Sequence, residues 1–371
     1  MKPGNKQYMK AIISHIKNLD WVLFGSAILL TLIGLFSLYS FSIGRGNFSD
    51  FHKQLVFFGI GCMIMILFSF LDWRLLKNDS YIILFLYILG TIALAGLFLF
   101  APQIKGTKGW YRIGGISIDP IEYMKLIMII LMAKYFSMRH IEVYRMRHIF
   151  ISGIYFAIPI FLIFLQPNLG SALVLGVLWI VTLLVSGIKI RHFLGIIVIA
   201  VLIFSLGWTF MLHDYQKNRI LSFIEPQLDP LGIGWSQMQA KIAIGNGGVW
   251  GQGIGKGTQT QYLFLSEPHT DFIFAAIGEE FGLLGVLGLF GLFLILIWKI
   301  LRIGMVAQSN FPRLFAIGFA TVLIFQFFVN VGMNLGVFPI IGLSLPFVSY
   351  GGSSLILSFV GLGILQSIKT H

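Results

Sequence analysis

Charge is scarce in this chain, and negative charge is scarcest: 14 Asp and Glu residues stand in 371, against 26 Lys and Arg. Charged residues make up 11% of the sequence. A soluble domain carries about a quarter of its residues charged, so an ordinary water-facing surface is excluded. There is a single cysteine, Cys62. It rules out an intramolecular disulfide, and its place in an apolar run makes it a small buried hydrophobe. No His/Cys/Asp cluster has the spacing of zinc ligands. The alternation over about ten residues that marks a transmembrane barrel strand is absent. No inverted repeat of the kind common in transporters is visible.

What the chain has instead is long apolar runs. It is 57% hydrophobic, with a mean hydropathy of +0.89. Runs of about 18 or more apolar residues recur along its length, each long enough to cross a bilayer as a helix. Lipid cannot hydrogen-bond the backbone, so the spans are helices. The reading is an all-α polytopic membrane protein of about ten transmembrane helices, near 21–42, 53–71, 80–101, 119–137, 148–165, 169–187, 192–212, 271–299, 312–334 and 346–368. The first 20 residues are polar and basic, and the apolar segment after them is too long for a cleaved signal. Residues 1–20 and 369–371 therefore flank a single transmembrane domain, 21–368.

The net charge of +12 raises nucleic acid as a partner, but its distribution speaks against it. Lys and Arg are concentrated on the side of the membrane that holds both termini, among them Lys6, Lys10, Arg74, Lys77, Arg147, Lys189, Lys299 and Arg302. The positive-inside rule then makes both termini cytoplasmic. On the opposite side lies the longest loop, 213–270, with Trp235, Trp250 and many glycines. Loops of that length are usually functional, and this one reads as ordered and lying on the membrane.

Asp271 follows that loop directly, in SEPHTDFIFAAIGEEFGLLG (266–285). A carboxylate at the mouth of an apolar helix is costly, about 2.5–3.5 kcal/mol were it drawn to the bilayer centre, and such residues are kept for a task. Glu279 and Glu280 lie about 12–13 Å deeper at 1.5 Å per residue and read as structural. Glu122 and Lys125 share one helix face, either as an ion pair or as the lining of a polar cavity. Lys105, Lys108 and Arg112 precede them on the outer side, and Arg219 lies in the long loop. Such cations suit phosphate oxygens, or else snorkel to the interface. GQGIGKGT (Gly251–Thr258) fails as a nucleotide phosphate loop: Gly257, not Ser or Thr, follows Lys256, and no strand precedes it. It reads as backbone needing positive φ, though its N–H groups could also meet a lipid diphosphate. Asn330, Asn334 and GLSLPFVSYGGSS (Gly342–Ser354) read as a broken or re-entrant segment lining protein.

These motifs resemble the SEDS family of cell-shape, division and sporulation proteins (RodA, FtsW, SpoVE) over nearly the whole chain. The matching segments are GTKGWYRIGGISIDPIEYMKL (106–126), QPNLGSA (166–172), AIGNGGVWGQG (243–253), PHTDFIFAAIGEEFG (268–282) and NVGMNLGVFPIIGLSLPFVSYGGSS (330–354). The lead-in GTQTQYLFLSEPHTDFIF (257–274) is closer to RodA members than to FtsW members. Three positions depart from the family pattern. Asp119-Pro120-Ile121-Glu122 replaces Gln-Pro-Ser-Glu, Asn168 replaces Asp, and Gly109 stands where many members have Arg.

The resemblance implies a peptidoglycan glycosyltransferase in the bacterial plasma membrane. It would polymerise lipid II on the outer side, with a class B penicillin-binding protein and other elongation or division proteins as partners. Asp271 would be the general base. Lys108, Arg112, Glu122, Lys125, Arg219, His269 and Thr270 would be substrate contacts. No metal cage is readable, and a divalent cation, Mg2+ or Mn2+, is an expectation without assigned ligands. A lipid II flippase and a non-catalytic scaffold are the competing readings.

Overall fold

The computed structural model describes residues 5–102, 109–138, 146–210, 214–224 and 232–371. In chain order the elements begin with α1 (Asn5–Asn18), α2 (Trp21–Arg45), α3 (Ser49–Phe70), α4 (Arg74–Asn78) and α5 (Ser80–Phe100). A small antiparallel hairpin follows, β1 (Tyr111–Ile113) with β2 (Ile116–Ile118), Arg112 opposite Ser117. Then come α6 (Pro120–Ser137), α7 (Met146–Leu165), α8 (Leu169–Val185) and α9 (Ile190–Phe210). The long loop holds α10 (Asp214–Ile224), α11 (Ile233–Gly247) and α12 (Thr258–Gln261). The chain finishes with α13 (Ile273–Val306), α14 (Asn310–Leu335) and α15 (Gly352–Thr370).

Eight of the described helices are long and apolar enough to cross a membrane: α2, α3, α5, α7, α9, α13, α14 and α15. The two other expected spans are helices as well, but α8 has only 17 residues. The 18 residues of α6 include Glu122, Lys125 and Lys134. The count of about ten therefore rests on two helices that are short or charged. α6 is wrapped by protein: α14 packs against it and most of it is buried, and a helix shielded in this way need not satisfy the hydropathy that lipid demands. α8 packs on α14 by one face only and exposes Leu173, Leu184 and Val185 on the other; it is short but apolar.

α14 and α15 form the buried centre, with α3 on α15 and α2, α11 and α14 on α13. At the other extreme, α9 buries none of its residues. Three of the scarce carboxylates start apolar helices as N-caps: Asp20 accepts from Leu23 N at 3.1 Å, Asp79 from Tyr81 N at 2.8 Å, and Asp119 from Ile121 N at 2.9 Å. Helix N-termini present unpaired N–H groups, which short polar side chains satisfy. Asn168 caps α8 through Ser171 N at 3.1 Å. Asn serves that role as well as Asp, so the missing charge at this position costs the fold nothing.

One long helix is broken where its sequence gave no warning of a break. Gly282 sits inside α13 at φ 64° and ψ −163°. Here the helical ladder is exchanged with the loop after α11. Leu283 N and Leu284 N donate to the carbonyls of Gly248 and Val249 (2.9 and 3.2 Å). In return, Gln252 N and Gly253 N donate to the carbonyls of Glu279 and Glu280 (2.9 and 3.0 Å). Four backbone groups at the break are thus satisfied, as breaking a helix among apolar neighbours requires. A Cβ on Gly251 would fall 2.2 Å from the Glu280 carbonyl oxygen, and one on Gly282 would fall 2.3 Å from Gly251 N. The glycine-rich loop is therefore a structural insert. Its N–H groups at Gln252, Gly253 and Gly255 are bonded within the protein, which removes them as a cradle for a diphosphate.

Candidate functional site

Asp271 lies at the end of a tight turn that delivers the chain into α13. Glu267, at φ 45°, turns the backbone, and its carbonyl accepts from Thr270 N and Phe272 N, both at 3.2 Å. The three carbonyls that follow Pro268 are then fixed one after another by the C-terminal part of the chain. His269 O accepts from Tyr350 N at 2.8 Å. Thr270 O accepts from Ser349 Oγ at 2.7 Å. Asp271 O accepts from two amides, Asn330 Nδ2 at 3.1 Å and Asn334 Nδ2 at 3.0 Å.

Each hook is itself held. Ser349 Oγ accepts from Leu345 N at 2.8 Å. Asn330 Nδ2 also donates to Leu343 O at 2.8 Å, and Asn334 Oδ1 accepts from Ala275 N at 3.1 Å. Both asparagines are fully buried on α14, where an unpaired amide would be expensive. The segment 342–351 is non-helical, so the last span starts as a helix only at Gly352 rather than near 346. Its irregular backbone is turned toward protein. Gln54 on α3 reaches Ser349 O and Gly351 N (3.4 and 3.2 Å), and a Cβ on Gly170 of α8 would meet Ile341 O at 2.7 Å. Gly342, at φ 72°, lies beside the Asp271 carboxylate, with Oδ2 3.8 Å from where its Cβ would be.

The ring of His269 stacks on Phe41 and meets Tyr350 edge-on, with centroids at 5.1 and 5.8 Å. Its Nε2 lies 3.8 Å from Glu267 Oε2. The Tyr350 hydroxyl points to Asp50 Oδ1 at 3.4 Å, and burial, ahead of that carboxylate, pushes it up to about 12. It remains a neutral donor at any physiological pH. His269, Thr270 and Asp271 thus form one rigid strip.

Glu122 and Lys125 form an ion pair at 2.7 Å, with side chains 15% and 3% exposed. They are paired to each other first. The start of α6 is tied to the same C-terminal segment, since Asp119 N donates to Ser353 Oγ at 2.9 Å. Arg112 is exposed on the hairpin, which Tyr111 anchors to α5 through Ala93 O at 2.7 Å. Arg219 lies on α10, which packs on α11, the neighbour of α13. Lys108, with Lys105, lies outside the described residues. Glu279 and Glu280 are structural. Glu279 accepts from Gln259 N, Thr260 N and Thr260 Oγ1 (2.7, 3.0 and 2.7 Å), capping α12. Glu280 bonds the Ser40 hydroxyl on α2.

Sequence reasoning singled out Asn330 and Asn334 only as helix-breaking polar residues, and it missed Ser349 and Tyr350 as supports. The available signal was polar side chains in an otherwise apolar run. Among the described residues no group of three or more His, Cys, Asp or Glu side chains is placed to hold a metal ion.

Comparison with known proteins fits this architecture. The chain is 35% identical over 345 residues to the peptidoglycan glycosyltransferase MrdB of Escherichia coli K12, covering 93% of this chain and 92% of that one. It is also 35% identical to the probable peptidoglycan glycosyltransferase FtsW of Geobacter metallireducens, over 98% of this chain and 97% of that one. A solved chain from a peptidoglycan synthase complex, described as coordinating polymerization and crosslinking, superimposes with a TM-score of 0.79 at 30% identity. It covers 95% of this chain and 97% of that one. The cell cycle protein family of FtsW, RodA and SpoVE matches residues 20–371, and the chain belongs to that family.

Proposed function

We propose that this multi-pass membrane protein is a peptidoglycan glycosyltransferase that polymerises lipid II, with Asp271 as the general base. One observation carries the assignment of the base. The carbonyls of residues 269, 270 and 271 are each held by a separate group of the C-terminal segment. A carboxylate mounted on a backbone fixed in this way is pre-positioned, which is what proton abstraction from a bound hydroxyl requires.

In the reaction, the acceptor sugar's 4-hydroxyl attacks the anomeric carbon of the donor. The new C1–O4 bond forms as the bond from C1 to the diphosphate oxygen breaks. The hydroxyl proton passes to Asp271, and the undecaprenyl diphosphate leaves as an anion. The donor linkage is α and the product β, so a single displacement with inversion suffices. Diphosphate departs without protonation and needs only positive charge nearby, for which Arg112, Arg219, Lys125 and Lys108 are the candidates. Lys125, already held by Glu122, serves as a fixed charge rather than a mobile one. Glu122, His269 and Thr270 are further substrate contacts. A divalent cation, Mg2+ or Mn2+, would supply further positive charge at the diphosphate. The termini lie on the cytoplasmic side and Asp271 on the outer side. A class B penicillin-binding protein is the cross-linking partner, alongside the other proteins of an elongation or division complex.

The test is polymer formation from lipid II by purified protein, alone and with its partner. Asp271→Asn is expected to lower the rate by about 10²–10⁴-fold while leaving assembly with the partner intact. Polymerisation at the wild-type rate would remove Asp271 as the base. Wild-type protein that moves lipid II across vesicles but never makes polymer would establish a flippase instead.

A further inference from the structure

At the end of α13 remote from Asp271, a cavity of about 740 Å3 opens between α4 and the ends of α13, α14 and α15. Arg74, Lys77, Lys299, Arg302 and Lys369 line it, and among the described residues Asp20 is the one acidic side chain in the lining. Lys299 and Lys369 share that carboxylate, at 3.1 and 3.4 Å from Oδ2. Arg74 lies 3.7 Å from Asp72 and donates to the His371 main-chain oxygen at 2.8 Å. Among the described residues Lys77 and Arg302 have no carboxylate partner, and Arg302 lies over the Trp298 ring at 5.3 Å. The wall is therefore positive beyond what its own carboxylates balance.

A second observation points the same way. Ser309, in the lining, is the N-cap of α14, yet its hydroxyl makes no capping bond. Among the described residues, that hydroxyl and the indole N–H of Trp73, also in the lining, are closed from solvent and have no hydrogen-bond partner. The start of a long helix adds partial positive charge and N–H donors.

The lining is also apolar on one side. Ile303, Val306, Pro312 and Ile368 belong to it, and Val306 and the adjacent Met305 are 76% and 69% exposed. A free inorganic anion would leave this apolar wall uncovered, and an acidic peptide has no counterpart to it. An anion that carries hydrocarbon satisfies both sides.

We propose that this cavity binds the phosphate headgroup of an anionic membrane phospholipid. The phosphate sits between Lys77, Arg302 and the Ser309 end of α14, and the acyl chains lie along the exposed end of α13. Basic pockets at the ends of membrane helices suit such headgroups. Nothing in this site depends on the transferase assignment of Asp271.

The test uses the full chain purified in mild detergent. It is titrated with phosphatidylglycerol, phosphatidylcholine, inorganic phosphate and polyglutamate, following the thermal midpoint and the lipid retained in native mass spectrometry. Phosphatidylglycerol is expected to raise the midpoint saturably and to stay bound, while phosphatidylcholine and phosphate do neither. Lys77→Gln combined with Arg302→Gln should weaken phosphatidylglycerol about thirtyfold, two surface cations' worth, without changing the lipid-free midpoint. Lys77→Gln alone should weaken it in part, and Lys77→Arg should retain it. Equal stabilisation by phosphatidylcholine, or unchanged affinity in the Gln variants, would overturn the proposal. Saturation by inorganic phosphate alone would replace the lipid with a free anion. Displacement of the lipid by polyglutamate would replace it with an acidic protein segment.

Discussion

At the scale of single residues, the carboxylates divide by what surrounds them. Asp20, Asp79 and Asp119 start helices, and Glu279 holds α12. Glu279 is 0% exposed and accepts from Thr258, Gln259 and Thr260. Glu279→Ala leaves the Thr260 N–H and hydroxyl buried and unpaired, so it should cost about 2–3 kcal/mol; Glu279→Gln, which can still accept, should cost less. Thermal or denaturant unfolding in detergent measures both. Asp271→Asn should behave in the opposite way, losing polymerisation while its unfolding midpoint stays within a few degrees of wild type. The backbone around Asp271 is held by Asn330, Asn334, Ser349 and Tyr350, and Asn keeps nearly the shape of Asp. Asp271 was legible in the sequence as a carboxylate at the mouth of an apolar run. The hooks were not, because a buried asparagine in a sequence does not say which carbonyl it will meet.

At the scale of elements, the break in α13 is the decisive feature. It lets the glycine-rich loop enter beside Glu279 and Glu280, and it fixes the loop's own backbone in return. Gly251 adopts φ 81° with the Glu280 carbonyl 2.2 Å from its missing Cβ. Gly251→Ala must both strain the backbone and push on a carbonyl, so it should destabilise by about 1–3 kcal/mol and depress polymerisation with it. Gly288→Ala is the control. It lies further along the same helix with open space around it, and it should be neutral or stabilising by up to about 1 kcal/mol. Unfolding midpoints of the two variants separate strain at the insert from a general intolerance of α13. Positive φ in this loop was expected from its glycines, whereas its partner was not, since the exchange joins residues some thirty positions apart.

At the scale of the whole molecule, the end that carries the termini is tied by one cluster around the buried Asp20. Asp20 caps α2, holds Lys299 at the end of α13 and Lys369 at the end of α15, and its backbone pairs with the Gln366 amide. Burial by itself would raise the Asp20 carboxyl. The Leu23 N–H and the two ammonium groups outweigh it and hold the group below the usual carboxylate range. A depressed acid stabilises the fold above its unfolded value, about 3.9, and loses that contribution as pH falls through the lower folded value. The midpoint difference between wild type and Asp20→Asn should therefore be constant above about pH 5 and shrink as the pH is lowered below about 4. A difference that grows on acidification would contradict this assignment.

The sequence by itself determined the class, the approximate spans and the candidate base. Burial of apolar runs in lipid and the cost of a carboxylate there are local properties that composition records. Only the tertiary structure decided the rest. It showed that α6 is sheltered by protein, that α13 breaks at Gly282, that Glu122 and Lys125 are paired, and that three successive carbonyls are pinned by distant residues. These depend on which groups meet across helices, and hydrogen bonds between segments far apart in the chain leave no periodic trace in it.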